Sequence, residues 1–315
     1  MNKNLNFVST VNMPHEEWLE RRKKSIGGSD ASAVVGLNPY SSPYALWAEK
    51  TGRVPGFAGN LATEVGTYLE EFVAKKFEAE TGKKVRRCNN IIYNPAYPFA
   101  HVNIDRDVVG EDAGLECKTT SELNLKKFRG TEFPEIYYCQ CVHSMAVTGK
   151  QRWYLAVLIG NKEFKWFTLE RDEAEIAALM TAEAEFWKLV KMDIPPAVDG
   201  TAATTRAIGA IYANSDDSVI ADLTAHKADI ARYIELGSQI KELEEQRDEA
   251  ANRIKEFLGE CCGGECESFR VSWKPQTRRT FDSKKFATEN PDVDLSGYYK
   301  ESSTRTFRVA ELKGE

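Results

Sequence analysis

The chain has 315 residues, 42% of them hydrophobic and 29% charged, with a mean hydropathy of −0.46, which excludes a disordered, collagenous or low-complexity chain and fits one large or two ordinary globular domains. The apolar runs fall far short of the roughly 18 residues of a membrane span, the first 14 residues lack the pattern of a secretory signal, and seven cysteines, an odd number, exclude a secreted disulfide framework, so a cytoplasmic protein without membrane association is expected. The net charge of −6 excludes a protein that coats nucleic acid with its whole surface, yet between 270 and 310 nine Lys/Arg stand against five Asp/Glu, a local +4.

A helix is expected over 16–24, followed by turn signals at Gly27-Gly28-Ser29-Asp30, Asn38-Pro39 and Ser42-Pro43, with a second helix opening near Asp30. Val65, Leu69, Phe72, Val73 and Phe77 recur at helical spacing after Thr63 and stop at Thr81-Gly82, which predicts a helix buried along that stripe. Strands are predicted over 85–93, 101–109 and 115–119, the last two joined as a hairpin by the turn at 110–114. A helix over 136–147, a strand pair at 153–159 and 164–169, and a helix over 172–192 ending before Pro195-Pro196 complete a first domain, 1–196.

An Ala-, Thr-, Ser-, Asp- and Gly-rich stretch follows, read as a linker over 197–222. In the segment 223–258, Tyr233, Leu236, Ile240, Leu243, Ala250, Ile254 and Phe257 fall on alternating three- and four-residue steps interrupted at Arg247. That spacing fits an antiparallel helical hairpin within the chain, or a short coiled coil. Residues 259–315 read as a small β-rich basic domain. The fold class expected is α/β, a mixed sheet flanked by helices with these C-terminal additions.

Chemistry concentrates at Asp105 and, ten intervening residues later, Glu116-Cys117-Lys118. On a strand, side chains at i and i+2 share a face, so Glu116 and Lys118 project together while Leu115 and Cys117 point to the other side. A hairpin brings Asp105 alongside, and two converging carboxylates make a hard oxygen site suited to Mg²⁺. The pattern resembles the PD-(D/E)xK nuclease core. On the preceding helix Glu70 lies about 100° from Leu69, beside Phe77 at the edge of the buried face. An unpaired charge there is costly without a cation partner, which makes Glu70 a third candidate ligand.

The set Ile26-Gly27-Gly28-Ser29-Asp30-Ala31, Gly66-Thr67-x-x-Glu70, His101-x-Asn103-x-Asp105-Arg106, Leu115-Glu116-Cys117-Lys118-Thr119 and Tyr138-x-Gln140-x-x-His143-x-Met145-x-Val147-Thr148-Gly149 resembles the YqaJ family of viral recombinases, relatives of phage lambda exonuclease. The five motifs, in family order, cover residues from about 15 to 190. The resemblance implies an exonuclease dependent on Mg²⁺, two ions with Mn²⁺ as a substitute, that degrades the 5′-ended strand of linear duplex DNA. The 3′ single strand left behind would pass to a phage annealing protein in phage or prophage recombination within a bacterial cell. It also implies a homo-oligomeric ring through which DNA threads. Carried over by position, Glu70, Asp105, Glu116 and the carbonyl of Cys117 match metal ligands, and Lys118 matches the catalytic lysine. Arg22 and Ser29 match a grip on the terminal 5′-phosphate, and Gln140 a glutamine near that site.

Plainer readings stand beside these. Arg21-Arg22-Lys23-Lys24 also fits a solvated helix face, and Gly27-Gly28-Ser29-Asp30 a turn and N-cap. His101 and His143 stay out of the metal set, because a hard ion prefers oxygen. Cys261, Cys262 and Cys266, with Cys88, do not match the spacing of an iron–sulfur site and read as reduced thiols. An endonuclease of the same fold and a non-catalytic DNA-end-binding protein are the alternative functions.

Overall fold

A computed structural model describes residues 4–128, 133–216, 218–301 and 305–310. The chain runs β1 (Asn6–Ser9), α1 (His15–Lys23), β2 (Ile26–Gly27), α2 (Gly28–Val34), α3 (Pro43–Lys50), α4 (Leu61–Thr81), β3 (Val85–Arg87), β4 (Asn90–Tyr93), β5 (Ala100–Asn103), β6 (Arg106–Val108) and β7 (Ala113–Thr120). It continues through α5 (Glu135–Thr148), β8 (Arg152–Ile159), β9 (Glu163–Glu170), α6 (Glu173–Met192) and α7 (Ala202–Ile211). Then come α8 (Lys227–Leu258), β10 (Gly263–Cys266), β11 (Phe269–Ser272) and α9 (Ser283–Glu289). Two compact units result, 1–212 and 213–315.

The first unit is α/β. A mixed five-stranded sheet has the order β3-β6-β7-β8-β9, and a four-stranded sheet the order β1-β4-β5-β2. β7 and β8 are parallel with Leu115 opposite Tyr154, and α5 makes the crossover that a parallel pair needs. β8 reads as a continuous apolar run because both its faces are covered. Tyr154 and Ala156 join Val73 and Phe77 of α4 on one side, while Leu155, Val157 and Ile159 join Phe128 and Phe167 on the other. α4 starts where the Asn60 side chain accepts from Thr63 N at 3.1 Å and ends at Gly82, φ +72°, a left-handed cap open to glycine.

The structure corrects several expectations. Each of the runs 85–93 and 101–109 is two strands in different sheets, with Cys88 and Asn89 separating β3 from β4, and Ile104 and Asp105 separating β5 from β6. Neither switch carries a Gly or Pro, so alternation alone hides it. On α4 only Val73, Ala74 and Phe77 are buried. Val65 and Phe72 stay exposed, so burial covers only part of the stripe.

The stretch 197–222 holds α7, whose Ala207 packs with Leu46, Trp47 and Phe186. Ser42 Oγ and Thr204 Oγ1 share a buried hydrogen bond of 2.7 Å. The small residues that suggested a linker are what allow this close packing. The segment 223–258 is one unbroken helix, α8, rather than a hairpin. In 259–315 strand structure among the described residues is confined to the β10–β11 pair, and alternation ends at Trp273-Lys274-Pro275, where proline cannot donate to a ladder. No helix among the described residues is long and apolar enough to cross a membrane.

Gly114 of β7 faces the fully buried Trp153, and a Cβ there would lie 2.5 Å from the indole. Gly114→Ala is expected to cost about 1–3 kcal/mol through overpacking, measured as a shift in the urea midpoint at unchanged slope.

Candidate active site

β7 divides its side chains as the pleat requires. Leu115 and Cys117 face the core that includes Phe77, while Glu116 and Lys118 line a cavity of about 220 Å³ on the other side. Asp105 enters that cavity because the chain changes sheets there, and its carboxylate accepts from the Cys117 amide at 2.8 Å. Glu116 is buried, and its Oε1 accepts from Gln140 Nε2 at 2.6 Å and pairs with Lys118 Nζ at 2.7 Å. Burial, with Glu116 and then Glu70 nearby, pushes the Asp105 carboxyl well above the usual carboxylate range. Burial alone would lower Lys118, but the Glu116 and Asp105 carboxylates outweigh it and hold the ammonium above its ordinary value.

Glu70, on α4, is paired with the buried guanidinium of Arg106. Arg106 also donates to the Asp105 carbonyl at 2.6 Å and to Glu71 at 3.0 Å. One arginine therefore ties α4 to the strand switch that carries Asp105.

The far end of the cavity is cationic. Arg22, in the last turn of α1, donates to Ser29 Oγ of α2 at 2.7 Å and lies 4.6 Å from the Trp18 ring centre. This geometry rests on a buried lysine. Lys50 Nζ, its side chain 2% exposed, donates to Arg22 O at 2.9 Å, Ser25 O at 3.0 Å and Asp30 Oδ2 at 2.7 Å. Asp30 Oδ2 also accepts from Gly27 N at 2.9 Å. Although burial opposes it, Lys50 and Arg22 draw the Asp30 carboxyl down to about 2. His101, part of the same cavity lining and held neutral by burial with its pKa near 3, hydrogen-bonds Ser25 Oγ at 2.8 Å. His143 pairs with the buried Glu183 at 2.8 Å and hydrogen-bonds the His101 carbonyl at 2.9 Å. All seven cysteines are free.

Arg22, Ser29, Asp105, Glu116, Lys118 and Gln140 thus line one cavity, with Trp18 and Asn103 as further walls. Glu70 does not line it. Trp18, Lys50, Asn103 and Arg106 had no assigned role from sequence. Trp18 and Arg22 share a helix face four residues apart, a signal that was readable, whereas the partners of Lys50 depend on the tertiary fold.

Among the described residues no group of three His, Cys, Asp or Glu forms a ready metal cage, since Arg106 engages Glu70. The remaining donors suit a hydrated hard cation: the half-buried Asp105 beside the buried Glu116, whose Oε2 is buried and has no partner among the described residues. Mg²⁺ takes one or two carboxylates and keeps several waters, so this partial set fits it.

The sequence model of the YqaJ-like viral recombinase domain matches residues 17–151, the span that holds Arg22, Ser29, Glu70, Asp105, Glu116, Lys118 and Gln140. The uncharacterized protein YqaJ of Bacillus subtilis (strain 168) is 40% identical over 305 residues, 95% of each chain. The chain belongs to the YqaJ-like viral recombinase family. Protein D345L of African swine fever virus (strain Badajoz 1971 Vero-adapted) is 34% identical over 64 residues, 20% of this chain and 19% of its own. Among solved structures, the alkaline exonuclease LHK-Exo from Laribacter hongkongensis is similar at 21% identity, covering 56% of this chain and 93% of its own, with a TM-score of 0.49. In this YqaJ-like chain the family match ends near the end of α5, so β8, β9 and everything after them lie outside it.

Removing the Lys50 ammonium takes the ion-pair partner from Asp30 and a donor from two backbone carbonyls, so Lys50→Met is expected to destabilise the fold by about 3–5 kcal/mol, measured by urea unfolding. Because the Asp30 pKa is lowered on folding, its contribution is full above the unfolded value near 4 and is lost as pH falls toward about 2. The stability gap between wild type and Asp30→Asn is expected to close over that interval.

Proposed function

We propose that the chain is a metal-dependent exonuclease that degrades the 5′-ended strand of linear double-stranded DNA. The 3′ single-stranded overhangs would serve phage or prophage recombination by single-strand annealing, with a phage annealing protein as partner, a homo-oligomeric ring as the working form and the bacterial cytoplasm as its place. The observation that carries this reading is that a cationic grip and a carboxylate–lysine cluster share one small cavity. An endonuclease needs no grip on a terminus.

In this reading Arg22 provides a charged, bidentate clamp for the terminal 5′-phosphate, and Ser29 Oγ, 2.7 Å from it, fixes its direction. Asp105, Glu116, the Cys117 carbonyl and Glu70 would hold one or two Mg²⁺ ions, Glu70 after release from Arg106. Such ions, when bound, lower the pKa of water and neutralise charge on the departing 3′ oxygen. Gln140 orients Glu116. Lys118, whose Nζ lies 2.7 Å from Glu116, would stand beside the scissile phosphate as a cation that stabilises developing charge.

Digestion of a linear duplex labelled on either strand, with and without a 5′-phosphate, checks polarity and site together. The expected outcome is loss of the 5′-phosphorylated strand in Mg²⁺, none in EDTA, and survival of supercoiled circles. Lys118→Ala is expected to slow the reaction about 10²–10³-fold. Arg22→Ala is expected to cut the preference for phosphorylated over hydroxyl ends by about 10–150-fold, the value of a charged hydrogen bond. Cutting of circles would make it an endonuclease, and bound but intact ends a non-catalytic clamp.

A further inference from the structure

We propose that the segment 273–285 binds single-stranded DNA, with its cations on the phosphates and its exposed aromatic rings stacked on the bases. The segment carries five cations, Lys274, Arg278, Arg279, Lys284 and Lys285, against one acid, Asp282, a net +4 within a chain of net −6. That acid is already engaged, since its carboxylate accepts from the Lys285 amide at 2.9 Å where α9 begins. Lys285 pairs with Glu289. No carboxylate among the described residues pairs with Lys274, Arg278, Arg279 or Lys284, and all four are exposed.

An ordinary solvated face is built differently. α8, in the same unit, balances cations along its length, with Arg232 on Glu235, Lys241 on Glu245 and Arg253 on Glu249. Four unbalanced cations within eleven residues repel one another, and the close spacing of phosphates along a nucleic-acid strand answers such a row. Nucleic acid is also the polyanion that a chain of a viral recombinase family handles.

The rings decide which form of DNA fits. Trp273 and Phe281, 45% and 70% exposed, flank Lys274, Arg278 and Arg279 in sequence, and Phe281 leans on Phe286 at 5.3 Å between ring centres. A ring left in water beside cations gains by stacking on a base, and an unpaired strand has base faces to offer, whereas in a duplex each base is covered by its neighbours. Residues 273–282 form neither helix nor strand, so this stretch has no element of the kind that fills a major groove.

The inference shares a DNA partner with the proposed function but does not use the cavity, and the test separates the two. Fluorescence anisotropy of the full chain in EDTA uses a labelled circular single strand and a circular duplex of the same sequence, neither of which offers a terminus. The single strand is expected to bind more tightly, with log K falling against log salt. The variant Lys274→Gln, Arg278→Gln, Arg279→Gln, Lys284→Gln is expected to make that slope shallower by about 3, at about 0.7 per phosphate contact. Trp273→Ala with Phe281→Ala is expected to weaken single-strand binding at least about 5-fold and to leave duplex binding unchanged. All six side chains are exposed, and an unchanged thermal transition shows that each variant is folded. Equal affinity and slope for wild type and the four-cation variant overturn the proposal, as does duplex bound as tightly as single strand with no effect of the ring variant. No binding to either circle by a chain that still digests linear duplex overturns it and leaves the proposed function standing. Binding of the single-stranded circle by a chain inert on linear duplex does the reverse.

Discussion

Two neighbouring carboxylates, the half-buried Asp105 and the buried Glu116, are the constraint around which the first unit is arranged. Each loses hydration and raises the cost of ionising the other, and the upward pull on Asp105 is the sign of that conflict. The fold supplies three partial remedies: the Cys117 amide on Asp105, and Lys118 and Gln140 on Glu116. Among the described residues Glu116 Oε2 has no partner. A buried polar atom without a hydrogen bond is expensive, and Glu116 lines the cavity in which a cation would answer it.

The surrounding architecture keeps this cluster in place. Arg106 fastens α4 to the strand switch, and Lys50 fastens α1, β2 and α2 to one another through two carbonyls and Asp30. Both are buried cations at junctions between elements, where backbone groups lack regular partners. The result is a cavity with a cationic end at Arg22 and an acidic end at Asp105 and Glu116, and the proposed function rests on that division.

Much of this was legible in the sequence where local rules apply. The i, i+2 rule placed Glu116 and Lys118 on one face, and helical spacing with a terminal glycine located α4. The sheet switch at Asp105 was not legible, because 101–109 alternates like one strand and the break is imposed by two separate cores. The buried face of α4 was misjudged for a related reason: periodicity gives a stripe but not how much of its length is covered. α7 was hidden by its own small residues, which suit both a linker and tight packing against α3. The roles of Lys50 and Arg106 follow from partners 20–36 residues away in sequence, which no local pattern encodes.

Thermal unfolding of wild type and Asp105→Asn, each with and without Mg²⁺ at neutral pH, probes the carboxylate conflict directly. If the pair is held together for a cation, Asp105→Asn melts higher than metal-free wild type, and Mg²⁺ raises the wild-type transition by ligand linkage while leaving the variant unmoved. A variant that melts lower than metal-free wild type and still gains the full Mg²⁺ shift would show that Asp105 serves the fold alone and that the ion binds elsewhere.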